Sequence, residues 1–210
     1  MRFQSNNSLI IILLILLWGC CDNKELGHIN FPQADRNANP YIGNESLYFV
    51  DNNNNTIIYK GSGRSLNTIR IDGCPDCCQD FYVVEFSDNT TFRSDFMDSY
   101  LHISLILNLD SLINKPPTNL TFSWSDQPLQ GKIQNIIFNE FPINNMEDSA
   151  RSWNLYHDTL TLRDKTFYNI FTSVVSINFS DRMHPDSIFY SISEGFVGIK
   201  FSDGNLFVKQ

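Results

Sequence analysis

The chain has 210 residues and a formal net charge of −8 at pH 7. Phosphate backbones and anionic headgroups repel an acidic protein, so the charge argues against nucleic acid as a partner and against a basic membrane-binding surface. The length suits one domain that buries a sizeable core. The sequence contains 17 phenylalanines and 8 tyrosines, and this aromatic enrichment favours strands over helices.

An apolar run lies close to the start of the chain. It extends from Leu9 to Trp18, follows Arg2 and is followed by Gly19. A membrane-spanning helix needs roughly 20 apolar residues, and this run is about half as long. A weakly positive start, a short apolar segment and a small residue at its end are typical of a secretory signal, which we predict over residues 1–19.

Cys20 follows the predicted signal directly. The segment Leu16-Leu17-Trp18-Gly19-Cys20 resembles the lipobox of bacterial lipoproteins, although that family usually has a small residue where Trp18 stands. The resemblance implies that the signal is cut before Cys20 and that the cysteine sulfur is diacylated. Two or three acyl chains hold a protein firmly on a membrane where one holds it weakly. A plain signal peptide and an uncleaved anchor are the alternatives.

Residues 20–39 are polar and lack periodicity, so we predict a flexible tether there. Removing residues 1–19 removes one basic residue, Arg2, and no acidic residue, and the formal charge moves from −8 to −9. We therefore expect the membrane contact to come from the lipid on Cys20. The expected location is the cell envelope at the outer membrane, with the periplasmic and the surface face both open. The sequence identifies no protein or glycan partner.

Short strands alternate with turns from Pro40 onward. Period-two alternation is clearest from Tyr100 to Leu109, which indicates one buried and one wetter face. One short helix is predicted, over Asn144–Asn154. The predicted strands are Ser46–Val50, Thr56–Lys60, Leu66–Ile71, Asp80–Phe86, Tyr100–Leu109, Leu120–Trp124, Lys132–Asn139, Thr159–Arg163, Phe167–Phe179, Ile188–Ile192, Phe196–Phe201 and Leu206–Val208.

Turn signals about every ten residues, with few helical runs, predict a single all-β domain over residues 40–210. Its sheet would be either an antiparallel β-sandwich or a curved, barrel-like sheet. The Asp203-Gly204 pair between two apolar runs is a strong hairpin signal.

The end of the chain carries a second resemblance. An aromatic strand, the Gly195–Lys200 strand and the Asp203-Gly204 turn resemble the ending of many small Bacteroidota lipoproteins. The resemblance implies a β-rich envelope protein. Because its motifs are structural, it implies no active site.

Cys74, Cys77 and Cys78 form the one dense cysteine cluster. A zinc site would need a second pair of ligands at suitable spacing, and the sequence has none. A redox thiol usually lies at the start of a helix, whereas strand-like sequence follows here. In an oxidising envelope a structural disulfide is favoured, joining Cys74 to Cys77 or Cys78 and leaving a thiol that pairs with Cys21 or stays free.

Motifs for catalysis and cofactor binding are missing from the sequence. It has no nucleophile elbow and no phosphate loop, and its histidines are scattered. We therefore predict a non-enzymatic, membrane-anchored lipoprotein that acts by binding or by structural association, with no cofactor and no metal. One alternative is a small envelope hydrolase or thiol-redox protein that uses Cys74, Cys77 and Cys78. Another is a carbohydrate- or peptide-capturing module with a groove lined by Trp124 or Trp153.

Overall fold

The structure is a computed structural model, and it describes residues 24–72, 80–109, 118–126, 134–138, 140–175 and 183–210. These residues fall into two compact units. The smaller unit comprises Met1–Asn30 and Thr68–Glu85, and the larger comprises Phe31–Asn67 and Phe86–Gln210. The predicted signal, the predicted lipidation site and the cysteine cluster lie outside the described residues.

Strands dominate both units. The strands are β1 Glu25–Ile29, β2 Ser46–Val50, β3 Thr56–Asp72, β4 Phe81–Ser94, β5 Ser99–Leu107, β6 Thr118–Asp126, β7 Gln134–Ile137, β8 Phe141–Pro142, β9 Tyr156–Leu162, β10 Lys165–Val174, β11 Pro185–Ser191, β12 Gly195–Phe201 and β13 Leu206–Lys209. The helices are a single turn, α1 Gln33–Arg36, and α2 Met146–Ser152, with 3-10 turns at Phe96–Asp98 and Ile143–Asn145.

The predicted all-β class is confirmed, and the curved alternative is the one observed: a curled antiparallel sheet forms a half-barrel. The strand order is β7-β6-β5-β4-β3-β2-β13-β12-β11-β10-β9, with β8 beside β6. The predicted alternation is confirmed in β5, where Leu101, Ile103, Leu105 and Leu107 are buried. The Asp203-Gly204 turn joins the antiparallel strands β12 and β13 as predicted.

Two of the predicted strands were expected to end where the structure has none of the breaks that this requires. The predicted strand Thr56–Lys60 implied a break at Gly61-Ser62-Gly63, and Asp80–Phe86 implied one by Asp88. Gly61-Ser62-Gly63 instead continues β3, because the backbone of Gly43 packs against it: a Cβ at Gly61 would lie 2.4 Å from the Gly43 carbonyl oxygen. Asp88 lies inside β4, where its carboxylate accepts hydrogen bonds of 2.8 and 2.6 Å from the Arg64 guanidinium. A buried carboxylate paired in this way no longer needs a turn that exposes it to water.

The core of the larger unit is aromatic. Phe122 on β6 lies 4.8 Å from Tyr190 on β11 and 5.5 Å from Phe196 on β12, measured between ring centroids. These strands are far apart in the strand order, so the sheet must curl for their side chains to meet. Trp124 and Tyr59 are also fully buried, and the Trp124 indole N–H donates to the Tyr59 hydroxyl over 3.2 Å.

A segment that we call the plug, residues 31–41, packs against this half-barrel. Its hydrogen bonds reach five different strands. Thr118 on β6 donates to Asp35 over 2.6 Å, and Asn39 donates to Thr90 on β4 over 3.0 Å. The Tyr41 hydroxyl accepts the backbone N–H of Phe196 on β12 over 2.5 Å. The Tyr190 hydroxyl on β11 donates to the Ala38 carbonyl, and Arg64 on β3 donates to the Tyr41 carbonyl over 2.7 Å.

A flexible tether was predicted over residues 20–39, and the plug corrects that prediction for residues 31–39. Phe31, Asp35, Ala38 and Asn39 are buried, and the larger unit begins at residue 31 and not at residue 40. The apolar residues of the plug are too few and too irregularly spaced to give a periodic signal. Tertiary hydrogen bonds fix this segment, and the sequence alone does not display them.

Residues 24–30 lie in the smaller unit, where they also depart from the predicted tether. Strand β1 runs parallel to β4, and its register pairs Glu25 with Phe81 and Ile29 with Val84. The Arg70 guanidinium lies 3.9 Å from the centroid of the Phe81 ring. This small unit is therefore held by backbone pairing and a cation–π contact.

A second buried cluster covers part of β12 and β13. It consists of Leu162, Phe167, Ile170, Val197 and Val208. The turn of the β9–β10 hairpin reaches as far as β2, where Arg163 donates to the Val50 carbonyl over 2.8 Å. Gly198 leaves room for this hairpin, because a Cβ there would lie 2.9 Å from the Leu162 side chain.

None of the helices in the described part of the chain has the length and apolar character needed to cross a membrane.

We expect Gly195→Ala to destabilise the fold more than Gly204→Ala. Both glycines have a positive φ, +76° and +89°, which costs an L-residue about 1–2 kcal/mol. At Gly195 the added Cβ would also lie 2.0 Å from the Tyr41 hydroxyl, whereas nothing lies within 4 Å at Gly204. The clash adds about 1–3 kcal/mol. Urea unfolding of both variants measures the difference, and equal losses would contradict the packing of Tyr41 against Gly195.

We expect Glu45→Gln to make stability less dependent on acid pH. Burial alone would raise the Glu45 pKa, but hydrogen bonds from the backbone N–H groups of Ile42 and Gly43 outweigh it and hold that pKa below its ordinary value of 4.5. The carboxylate therefore stabilises the fold above this ordinary value, and the contribution disappears as the pH falls through the lowered one. The difference in unfolding free energy between wild type and E45Q should shrink on acidification, and exposed Glu194→Gln controls for the lost charge. A difference that stays constant down to acid pH would rule this role out.

Candidate binding cleft

A cleft of about 630 Å³ lies in the larger unit beside the start of α2. Its wall combines hydroxyl, amide and carboxylate groups with apolar side chains. The polar lining residues are Asn145, Glu147, Asp148, Tyr156, Asn169, Ser191 and Ser193, and the apolar ones are Ile143, Met146, Phe171 and Ile192. We call this site the cleft.

Helix α2 forms one side of the cleft because its apolar face is anchored in the core. Met146 and Ala150 are buried, and they recur four residues apart as one face of a helix requires. Phe141 precedes the helix and lies 6.0 Å from Phe171, between ring centroids. After the helix, Leu155 accepts a backbone hydrogen bond of 2.7 Å from Thr172 on β10. The acidic residues of the first helical turn, Glu147 and Asp148, are thereby held in the wall of the cleft.

Asn169 is the most strained residue that lines the cleft. It lies within β10 and has a φ of +53°, a conformation that costs most L-residues about 1–2 kcal/mol and that asparagine tolerates better than most. The kink places Phe167 and Ile170 in the same buried cluster, three residues apart where a regular strand would require an even spacing. It also brings the Asn169 side chain to Tyr156, whose hydroxyl donates to its amide oxygen over 2.8 Å.

Arg151 is a cation beside the cleft that pairs with two carboxylates. Its guanidinium donates to Asp158 over 2.5 Å and to Glu147 over 3.0 Å, and it lies 4.2 Å from the centroid of the Tyr156 ring. The hydrogen bonds to Asp158 and Glu147 raise the Arg151 pKa, so the cation is permanent. Partial burial raises the Tyr156 pKa, and the carboxylates of Glu147 and Asp158 raise it further. Tyr156 therefore keeps its proton at neutral pH and acts as a hydrogen-bond donor.

The β11–β12 turn supplies the opposite side. The hydroxyls of Ser191 and Ser193 lie 3.0 Å apart, and Ser191 also approaches the Tyr168 carbonyl over 3.4 Å. The same hairpin carries Tyr190 and Phe196, which bind the plug. The cleft and the plug therefore lie at the same end of the half-barrel.

The residues proposed from the sequence fall elsewhere. Cys20, Cys21, Cys74, Cys77 and Cys78 lie outside the described residues, so lipidation and disulfide pairing stay predictions. The proposed groove at Trp124 is corrected, because that side chain is fully buried in the core. Trp153 is half exposed and lies 6.1 Å from Phe141, next to the cleft.

The histidines and carboxylates of the described residues assemble no metal site: no group of three suitable side chains occurs there. His102 is bound to the Thr91 hydroxyl through Nδ1 over 3.0 Å and stacks on Tyr100. Burial lowers its pKa, so it is neutral at physiological pH. We therefore interpret His102 as part of the paired strands β4 and β5.

Sequence reasoning missed the residues that build the cleft. Tyr156, Asn169, Ser191 and Ser193 belong to no motif and come from three separate strands and a turn. One signal was available: the apolar residues Phe167 and Ile170 are three apart with an asparagine between them. Residues on one face of a regular strand are an even number of positions apart, so a spacing of three indicates an irregularity in the strand. Asparagine is one of the residue types that tolerate a left-handed conformation there.

Comparison with known proteins gives no match, since no family model, no curated protein and no solved structure is detectably similar to this chain.

Proposed function

We propose that this protein is a lipid-anchored lipoprotein of the cell envelope that binds a neutral polyhydroxyl ligand, of the carbohydrate class, in the cleft. The observation that carries the proposal is the convergence on one cleft of hydroxyl and amide groups from the 3-10 turn before α2, from β9, β10 and β11, and from the β11–β12 turn. Binding sites for small ligands are concave and combine an apolar lining with a few convergent polar groups.

The charges beside the cleft disfavour an anionic ligand. Arg151 pairs with Glu147, with 2.9 Å between the charged atoms, and also with Asp158, so one cation is shared between two carboxylates. Asp148 adds a third carboxylate, and the formal charge of these four residues is 1 − 3 = −2. Hydroxyls of Tyr156, Ser191 and Ser193 and the amides of Asn145 and Asn169 suit a ligand that both donates and accepts hydrogen bonds.

The arrangement favours binding over hydrolysis. Glycoside hydrolysis uses two carboxyl groups that face each other across the scissile bond. Glu147 and Asp148 are adjacent on α2, and adjacent helical residues do not face each other. Among the described residues, those that line the cleft include no histidine, cysteine or lysine that could activate one of its serines.

The proposed anchor is supported by the lipobox-like sequence at Cys20. Diacylation would hold the protein on the membrane, and the outer membrane is the expected location. The acidic charge of the chain supports attachment through lipid over attachment through a basic surface.

We expect the protein with the Cys20→Ser substitution to be lost from the membrane fraction or to retain its signal segment, because the sulfur that would be acylated is absent. Cys21→Ser is the matched control, since it removes the neighbouring thiol and keeps the proposed lipid site. Fractionation of the native host and intact-protein mass spectrometry measure both. Normal processing and membrane association of C20S would end the anchor proposal.

We expect the purified protein to bind members of an array of bacterial and plant oligosaccharides. Tyr156→Phe and Asn169→Gly should each weaken this binding about tenfold, about 1.4 kcal/mol, because each removes one polar group from the cleft. Glycine keeps the positive φ at residue 169, so the fold is preserved.

Exposed Tyr168→Phe is the control for the binding experiment, because it removes a hydroxyl next to Asn169 that does not line the cleft. Titration calorimetry with the best array ligand gives the affinities. An array without binders, or equal affinities for all three variants and wild type, would refute the ligand class.

A further inference from the structure

Two exposed aliphatic side chains lie beside the plug. Ile42 is 69 % exposed and Leu66 is 42 % exposed. Leu66 lines a groove together with Gln33 and Pro40 of the plug. The residue after Ile42, Gly43, accepts a backbone hydrogen bond of 2.9 Å from Gly63, so the backbone at Ile42 lies close to β3, the strand that carries Leu66.

Ile42 is held in place and does not hang from a loose loop. The Glu45 carboxylate accepts the backbone N–H of Ile42 over 2.6 Å and that of Gly43 over 2.8 Å. On the other side, Arg64 binds the carbonyl of Tyr41. An aliphatic side chain presented to solvent on a fixed backbone is available to a second surface, and covering it is favourable.

The length of chain before the plug limits where this surface can be. Phe31 is buried, and 31 − 20 = 11 residue steps separate it from Cys20. Fully extended, these steps span at most about 36–40 Å. Because the plug is bonded to five strands, it cannot unwind to lengthen the connection.

The charges around the plug are balanced, unlike those of the whole chain. Over residues 31–45 and 60–67 together with Asp88, the basic residues Arg36, Lys60 and Arg64 offset the acidic residues Asp35, Glu45 and Asp88. The Arg64–Asp88 pair is direct, with 2.6 Å between charged atoms. The formal charge there is 3 − 3 = 0, whereas the chain without residues 1–19 carries −9. This end therefore meets less repulsion from anionic headgroups than the acidic chain does on average.

From the short connection, the exposed aliphatic pair and the balanced charge, we propose that the plug end of the larger unit rests on the headgroup layer of the bilayer, with Ile42 and Leu66 inserted among the lipids. This inference rests on the proposed lipidation of Cys20. The lipid anchor keeps the surface at high effective concentration near the membrane, so a contact that would be weak for a free protein becomes populated. The cleft, at the same end, then opens close to the membrane surface.

Photo-crosslinking tests the orientation. The full-length lipidated protein is reconstituted in vesicles of phosphatidylethanolamine and phosphatidylglycerol that contain a lipid with a diazirine at its headgroup. Peptides are mapped by mass spectrometry after irradiation. We expect labelling of residues 31–43 and 60–67 to exceed that of residues 134–138 and 156–168 several-fold, and the double variant Ile42→Ser with Leu66→Ser to remove the excess. Ile137→Ser is the matched control, because Ile137 is 61 % exposed on β7.

The failures of the two proposals are distinguishable. Absence of a lipid mass on Cys20 would refute the anchor and with it the orientation. A lipidated protein whose labels are spread evenly, or concentrate on residues 134–138 or 156–168, would refute the orientation alone. Unchanged labelling in the double variant would do the same, and circular dichroism verifies that the variant is folded.

Discussion

The hydrogen bond between the Tyr41 hydroxyl and the backbone N–H of Phe196 is the contact on which the larger unit most depends. It joins a segment near the start of the chain to a central strand near its end. Gly195 makes the bond possible, since any side chain there would occupy the position of the hydroxyl. The Tyr41 ring also stacks 5.7 Å from Phe196 and lies 4.9 Å from Phe92, so the hydrogen bond and the aromatic core stabilise each other.

The aromatic filling of the half-barrel decides where a ligand can bind. Phe92, Phe122, Trp124, Tyr190 and Phe196 are fully buried inside it. Their side chains occupy the space that wider, closed sheets of this kind use for ligands. The cleft therefore lies at the rim, where α2 and the β11–β12 turn meet and where the kink at Asn169 interrupts the regular strand. Strained residues of this kind often accompany binding sites.

The class of the fold was readable from the sequence, because period-two alternation and turn residues are local properties. The alternation of Leu101, Ile103 and Leu105 and the Asp203-Gly204 turn predicted elements that the structure contains. The predicted break at Gly61-Ser62-Gly63 was wrong, since those glycines accommodate the backbone of Gly43, a contact distant in sequence. The cleft was not predictable, because side chains from separate strands meet only after the sheet has curled.

The plug also determines how the protein responds to force. A pull on the N-terminal chain first loads the pairing of β1 with β4, and beyond Phe31 it reaches the bonds of the plug to β3, β4, β6, β11 and β12. Where several bonds carry a load in parallel, none bears it alone, so the plug acts as a mechanical clamp. The strands behind it are pulled as a group and are not peeled away one at a time.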